Sequence, residues 1–349
     1  MRLTICRKPL AIAAGMLTAV SIAACDSAVP VFRGSDEISR ITDAVVLSDG
    51  SFVAVGGAGL SPAVLSIDAS GAIRGQTIYD DLRGTAESVA VFGGGLAILV
   101  GETVARAPYD DFDDPTLHLT TIDGTREDIL FDATTFDDGA HAKLYSTHDG
   151  GLVVVSGIPY SDPPDILRFN AAGQLEWSYE NPESMVDAVL LPDGRTVVQS
   201  LTTSSPKLRA LDVDGVELWE KAAPGVNGPM ATAGDGFVTI RHSGQDSTAV
   251  RRYDGHGTMI SEDAVVIPKF SHITALTGFE DGGSAYACAT HSGTRGVLVR
   301  LHPDGSEAWR ALVDETTIGS LVALPDGRLF AVGTTPSGNT SDVFTAVYD

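Results

Sequence analysis

From about residue 40 onward the chain alternates short apolar runs with polar turns, and the turns repeat. Segments reading LSDGSFVAVGG, VFGGGLAILVG, THDGGLVVVSG, LPDGRTVVQS, TAGDGFVTIR, FEDGGSAYACA and LPDGRLFAVGT each place an Asp-Gly or Gly-Gly pair between two apolar stretches. Aligned on Asp49, Gly93, Asp149, Asp193, Asp235, Asp281 and Asp326, these seven copies lie 42 to 56 residues apart. The run after each turn is nearly continuous in its apolar character, which predicts a strand buried on both faces of its sheet. A second turn follows a third strand in SIDASGAI, TIDGTRED, RFNAAGQLEW, ALDVDGVELW, RYDGHGTM and RLHPDGSEAW. Glycine at these turns supplies the positive φ that tight hairpins require. Four strands per repeat of this length predict a β-propeller blade, and no long segment carries helical periodicity.

The chain ends sharpen this expectation. The seventh repeat stops at FTAVYD, after its third strand, while the segment around AVPVFRGSDEI precedes the first strand of repeat one. Pairing of the two would complete the last blade and remove exposed edges. The fold expected from sequence is therefore all-β: a seven-bladed propeller of four-stranded blades, closed by an N-terminal strand. Its boundaries are a signal peptide over 1–24, an N-terminal segment over 25–40 and the propeller over 41–349.

Trp177, Trp219 and Trp309 each lie four residues beyond the second-turn glycine, on the fourth strand, where an indole can fill the wedge between adjacent sheets. These Gly-x-x-x-Trp repeats resemble those of quinoprotein-like bacterial propellers with PQQ-type repeats. A lipidated member of that group acts in outer-membrane protein assembly. Blades one, two and five depart from the pattern, with Gly75, Asp128 and Ser261 at the equivalent positions.

The first residues carry a different signal. Arg2, Arg7 and Lys8 precede an uncharged stretch from Pro9 to Ala24, the layout of a secretory signal peptide. This stretch is shorter than the roughly 20 residues a membrane-spanning helix needs. Ile22-Ala23-Ala24-Cys25 resembles the lipobox of bacterial lipoproteins, which implies lipid attachment at Cys25 after cleavage. Acyl chains there would hold the protein at a bilayer, each buried methylene contributing about 0.8 kcal/mol. The expected location is the extracytoplasmic side of a bacterial cell envelope. Of three cysteines, Cys6 leaves with the leader and Cys25 is lipidated, so Cys288 in SAYACAT remains alone as a small core residue.

Charge narrows the partners. The net charge is −23, and removal of Arg2, Arg7 and Lys8 makes the mature chain more acidic still. Such a surface repels phosphate backbones and excludes nucleic acid as a partner class.

Candidate chemistry is sparse. No Gly-x-Ser-x-Gly, His-Glu-x-x-His, Cys-x-x-Cys or Gly-Lys-Ser/Thr loop is present. His242 and His291 occupy the same place in blades five and six, within HSG, and repeat ancestry accounts for them as well as a shared site does. The longest insertions follow the second strands of blades two and three, in ARAPYDDFDDPT and IPYSDPPD, and would stand beside FDATTFDDGAH on one face. They make a candidate partner-binding rim of Tyr109, Asp110, Asp111, Phe112, Asp113, Asp114, Tyr160, Asp162 and Asp165, with Asp137 and Asp138 adjoining. Oxygen-rich loops of this kind hold calcium or meet a basic partner. The spacing matches no established calcium loop, so no cofactor is expected. Asp212 and Asp214 in DVDG are read as turn residues.

The function expected is a membrane-anchored binding or scaffold module for a protein or surface polymer. The alternative is a propeller enzyme, quinone-dependent or hydrolytic, with its site at the central channel. Asp43, Glu87, Lys143 and Asp187 are its candidate groups, because they begin the innermost strands.

Overall fold

Continuous apolar runs can be buried on both faces only where sheets stack face to face, and the chain achieves this by arranging its strands radially. The computed structural model describes residues 38–105, 111–120, 126–131, 141–157, 166–180, 183–201, 206–243, 247–265, 271–290, 295–314, 316–337 and 340–349. The first sheet pairs β1 (Arg40–Val46), β2 (Phe52–Ala58), β3 (Ser61–Ile67) and β4 (Ile73–Ile78). The second pairs β5 (Gly84–Phe92), β6 (Gly95–Ala105), β7 (Asp111–Thr120) and β8 (Arg126–Phe131). The third contains β9 (His141–Ser146), β10 (Leu152–Gly157), β11 (Ile166–Phe169) and β12 (Leu175–Tyr179). The fourth contains β13 (Ser184–Leu190), β14 (Thr196–Leu201), β15 (Lys207–Leu211) and β16 (Glu217–Ala222). The fifth has β17 (Val226–Ala233), β18 (Gly236–Ser243), β19 (Ser247–Tyr253) and β20 (Met259–Val265). The sixth has β21 (Ser271–Gly278), β22 (Ser284–Thr290), β23 (Arg295–Leu301) and β24 (Glu307–Asp314). The last sheet has three strands, β25 (Thr317–Ala323), β26 (Leu329–Ser337) and β27 (Thr340–Tyr348).

The protein is a β-propeller of four-stranded antiparallel blades. Four strands per blade hold for six sheets; the last departs from the expectation with three. The segment expected to supply its fourth strand lies outside the described residues, as do the leader and Cys25. β1 begins at Arg40, and Ile38 before it is fully buried between the first and last sheets.

An apolar cluster fills each interface between neighbouring sheets. Val53, Val55 and Val64 of the first sheet meet Ala86, Val89 and Ile98 of the second, and the pattern recurs around the molecule. Phe52 and Phe330 join the first sheet to the last, their rings stacked at 3.9 Å between centroids. Burying each ring contributes about 1.5–3 kcal/mol, and their pairing adds about 0.5–1.5. The Thr345 hydroxyl also donates to the Gly71 carbonyl across this junction, at 2.7 Å.

The tight turns follow the sequence reading. Asp49, Asp193, Asp281 and Asp326 each accept the amide two residues on, across a left-handed glycine. In the second turns Asp68, Asn170, Asp212 and Asp254 accept amides two and four residues ahead. The Ser70 hydroxyl, these amides and Arg74 pull the Asp68 carboxyl down to about 2. Asp212 is thus a turn residue. Because successive hairpins alternate ends, both kinds of tight turn lie on one face, and the insertions and blade-to-blade crossings lie on the other.

The tryptophans lock blade to blade at the tight-turn face. Trp177 of blade three lies against Gly215 of blade four and donates to the Val213 carbonyl at 2.8 Å. Trp219 of blade four lies against Gly257 of blade five. In blade five, which lacks the tryptophan, the Asp263 carboxylate lies against Gly305 of blade six. Gly257 has φ +71, and a methyl added there would meet the Trp219 ring at 2.5 Å. Gly257→Ala should therefore cost about 2–4 kcal/mol, from left-handed strain plus overpacking. Gly59→Ala, at φ +63 with nothing within 4 Å, should cost only about 1 kcal/mol. Equal costs in chemical denaturation would contradict the indole-on-glycine contact.

Candidate functional site

The innermost strands enclose a central channel of about 480 Å³. In six of the seven inner hairpins the register slips by at least one residue, at Ile41/Asp43, Ala86/Ser88, Met185/Asp187, Val226/Met230, Ile273/Ala275 and Ile318/Ser320. A bulge bends its strand and frees an amide from the ladder. Such an amide needs another acceptor when it is buried.

Two carboxylates supply it. Asp43 accepts the Ser88 hydroxyl at 2.6 Å and the Val89 amide at 3.1 Å from blade two, and the Ala44 amide at 2.8 Å from its own strand. Ser320 of the last blade approaches it at 3.5 Å. Ser88 in turn accepts the Leu144 amide of blade three at 3.1 Å. Asp187 of blade four accepts both hydrogen bonds of the Lys143 ammonium at 2.8 Å, from blade three, and the Met230 amide of blade five at 2.8 Å. Thr42, Tyr145 and Thr232 donate across the same interfaces to Ala86, Ala188 and Leu190 carbonyls.

This arrangement answers where the four candidate channel groups go. Asp43, Glu87 and Lys143 line the channel. Asp187 does not belong to its wall; it is buried behind Lys143. Glu87 pairs with Arg40 at 2.6 Å on the exposed rim of the mouth. The four are distributed over two ion pairs and a set of inter-blade bridges. Sequence reasoning missed Ser88, Tyr145 and Thr42. The signal available was the recurrence of Asp-Ala-Val at 43–45 and 187–189, which marks one structural position used twice.

Burial raises the Asp43 carboxyl above its ordinary range, opposed by hydrogen bonds from Ser88, Val89 and Ala44 and by the Lys143 charge. Burial, with the Asp187 and Asp43 charges, also pushes the Tyr145 phenol well above its usual value, so it stays a neutral donor. Burial likewise raises the Cys288 thiol, which sits at 3% exposure inside β22 between blades five and six, as expected of a core residue.

The acidic rim is placed in part. Tyr109, Asp110, Asp137, Asp138, Tyr160, Asp162, Asp165 and His291 lie outside the described residues. Asp111, Phe112, Asp113 and Asp114 correct the loop expectation: their backbone belongs to β7, opposite Ala105, Val104, Thr103 and Glu102 of β6. The insertion lengthens a hairpin. Among the described residues, no three His, Cys, Asp or Glu side chains are grouped as metal ligands.

A family model described as outer membrane protein assembly factor BamB matches residues 132–261, the span that holds Trp177 and Trp219. No curated protein matches the chain. Among solved structures, a catalytically inactive virginiamycin B lyase from Staphylococcus aureus with quinupristin is similar at TM-score 0.65 and 12% identity, covering 92% of this chain and 98% of that one. The RRP9 WD40 repeats are similar at TM-score 0.62 and 12% identity, covering 92% and 97%. At such identity these likenesses establish the propeller fold alone.

Two outcomes test the inter-blade bridges. Lys143→Met leaves Asp187 buried with only amide donors and should cost about 2–3 kcal/mol, most of it recovered by adding Asp187→Asn. For Asp43, the folded protein holds the proton more tightly than the unfolded chain does. Its stabilising contribution is complete below roughly pH 4 and is lost as pH rises through the raised folded value. Asp43→Asn should therefore gain stability relative to wild type as pH rises above about 4. Parallel stability curves would contradict the assignment.

Proposed function

We propose that the protein is a lipid-anchored, extracytoplasmic propeller of a bacterial cell envelope that binds or scaffolds a protein or surface polymer through its surface loops. The observation that carries this reading is the use of the channel's ionisable groups. Among the described residues, Asp43, Lys143 and Asp187 are each engaged in holding neighbouring blades together, which favours a structural use of these groups. That same distribution weighs against the enzyme alternative, whether quinone-dependent or hydrolytic.

Location is supported by the leader and the Ile22-Ala23-Ala24-Cys25 pattern, and a role in protein contacts by the BamB family match over residues 132–261. In this reading residues of the 25–40 segment add beside β27, making the three-stranded sheet the seventh complete blade. The rim of Tyr109, Asp110, Asp111, Phe112, Asp113, Asp114, Tyr160, Asp162 and Asp165 meets the partner, and no cofactor is needed.

The test is recovery of crosslinked partners from membranes. Wild type should retain a specific partner that the variant with Asp110, Asp111, Asp113 and Asp114 changed to Ser loses. Cys25→Ala should release the protein from the membrane fraction. Equal recovery by the Ser variant would remove the rim from the account, and membrane retention of Cys25→Ala would remove the anchor. Calcium should leave the unfolding temperature unchanged; a rise abolished by the Ser substitutions would assign a metal to the rim instead.

A further inference from the structure

The outer strands of blades three to five carry an apolar surface that the propeller architecture does not require. Leu175 is 54% exposed, Val216 59%, Leu218 50%, Met259 51% and Ile260 62%, and Val213 is also exposed. These six are most of the large apolar side chains left in solvent among the described residues; Leu60 and Leu312 are the others. Scattered exposed leucines are ordinary, whereas a contiguous set marks a contact surface.

The tryptophan contacts place these residues at corresponding positions on neighbouring blades. Trp177 bridges the strand of Leu175 to the turn that Val213 and Val216 flank. Trp219, next to Leu218, lies against Gly257, two residues before Met259. Lys221 donates to the His256 carbonyl at 2.6 Å across the same junction. The patch is thus an arc at the tight-turn end of three consecutive blades, opposite the face that carries the insertions. At its centre β16 ends the fourth sheet, and its outer edge is unpaired among the described residues. Native edges are usually blunted by free charged side chains, proline or a bulge. β16 has no proline, its Lys221, Glu217 and Glu220 are tied to His256, Tyr179 and Arg209, and a bulge lies only at its start.

Charge selects the occupant. Asp212, Asp214 and Asp254 at the neighbouring turns form no ion pair with lysine or arginine among the described residues. A chain of net charge −23 repels a second copy of itself and an anionic bilayer, while a basic segment is attracted. We propose that this rim docks a protein segment of alternating apolar and basic residues, which adds as a strand beside β16 and lays its apolar side chains on Leu218, Val216 and Ile260. Backbone hydrogen bonds along the edge would supply affinity, and the apolar arc with its flanking aspartates would supply selectivity. This surface is separate from the acidic rim and stands or falls independently of it.

The probes are two ten-residue peptides, one alternating leucine with lysine and one leucine with glutamate, titrated into the full chain by calorimetry at physiological salt. The leucine-lysine peptide should bind, and the leucine-glutamate peptide should not. Leu218→Ser with Ile260→Ser should weaken binding about tenfold or more, with unfolding temperature unchanged because both side chains are exposed. Leu312→Ser, on blade six, should bind as wild type does. Asp212→Asn with Asp214→Asn should reduce both the affinity and its salt dependence. Equal loss in Leu312→Ser, no loss in the double serine variant, or equal binding of the acidic peptide would overturn the proposal. So would cosedimentation with phosphatidylglycerol vesicles, or a dimer, that disappears in the double serine variant, since each assigns a different occupant.

Discussion

A buried amide that leaves its ladder must find another acceptor, and the propeller is organised around that constraint. Bending the inner strands toward a common axis introduces bulges, and each bulge exposes backbone to the channel. Asp43 and Asp187 close the accounts of Val89 and Met230 from the neighbouring blades. Because the acceptor and the amide belong to different sheets, local backbone satisfaction and ring assembly become the same event. Lys143 neutralises the second of these carboxylates, and the hydroxyls of Ser88 and Thr42 extend the bridges around the axis.

The outer part of the ring is held by different means. Indoles on glycines at the tight-turn face and apolar clusters between the sheets provide shape-matched burial without directional charge. This division gives the two faces distinct character. The tight-turn face is short, rigid and fixed by Asp-Gly geometry, whereas the opposite face receives the insertions, where length varies without disturbing the core.

Much of the fold was legible in the sequence because propeller blades are local objects. The turn glycines at Gly50, Gly194 and Gly327, the apolar runs after them and the indoles at Trp177 and Trp219 all report contacts along one repeat or to the next turn. What escaped reading is non-local or contextual. Asp43 and Asp187 looked like strand-initial polar residues, since their partners lie over 40 positions away. Asp111–Asp114, rich in acid and followed by Pro115, read as a loop, yet their backbone pairs with β6, because a long neighbouring strand overrides weak β-propensity. The rim at Leu218 and Ile260 was invisible for a different reason. Alternation in a fourth strand looks the same whether its apolar face is covered or bare.

The central claim is that the channel's charged groups serve the ring rather than a reaction. Amide hydrogen exchange at Val89 and Met230 tests it most directly, because each amide donates to a carboxylate of an adjacent blade. If the carboxylates hold the ring, these two amides exchange only with global unfolding, at the same free energy as the core strands around Val198 and Val238. Exchange of either amide through a low-energy local opening, with the core still protected, would contradict the account and return Asp43 and Asp187 to the pool of groups available for chemistry.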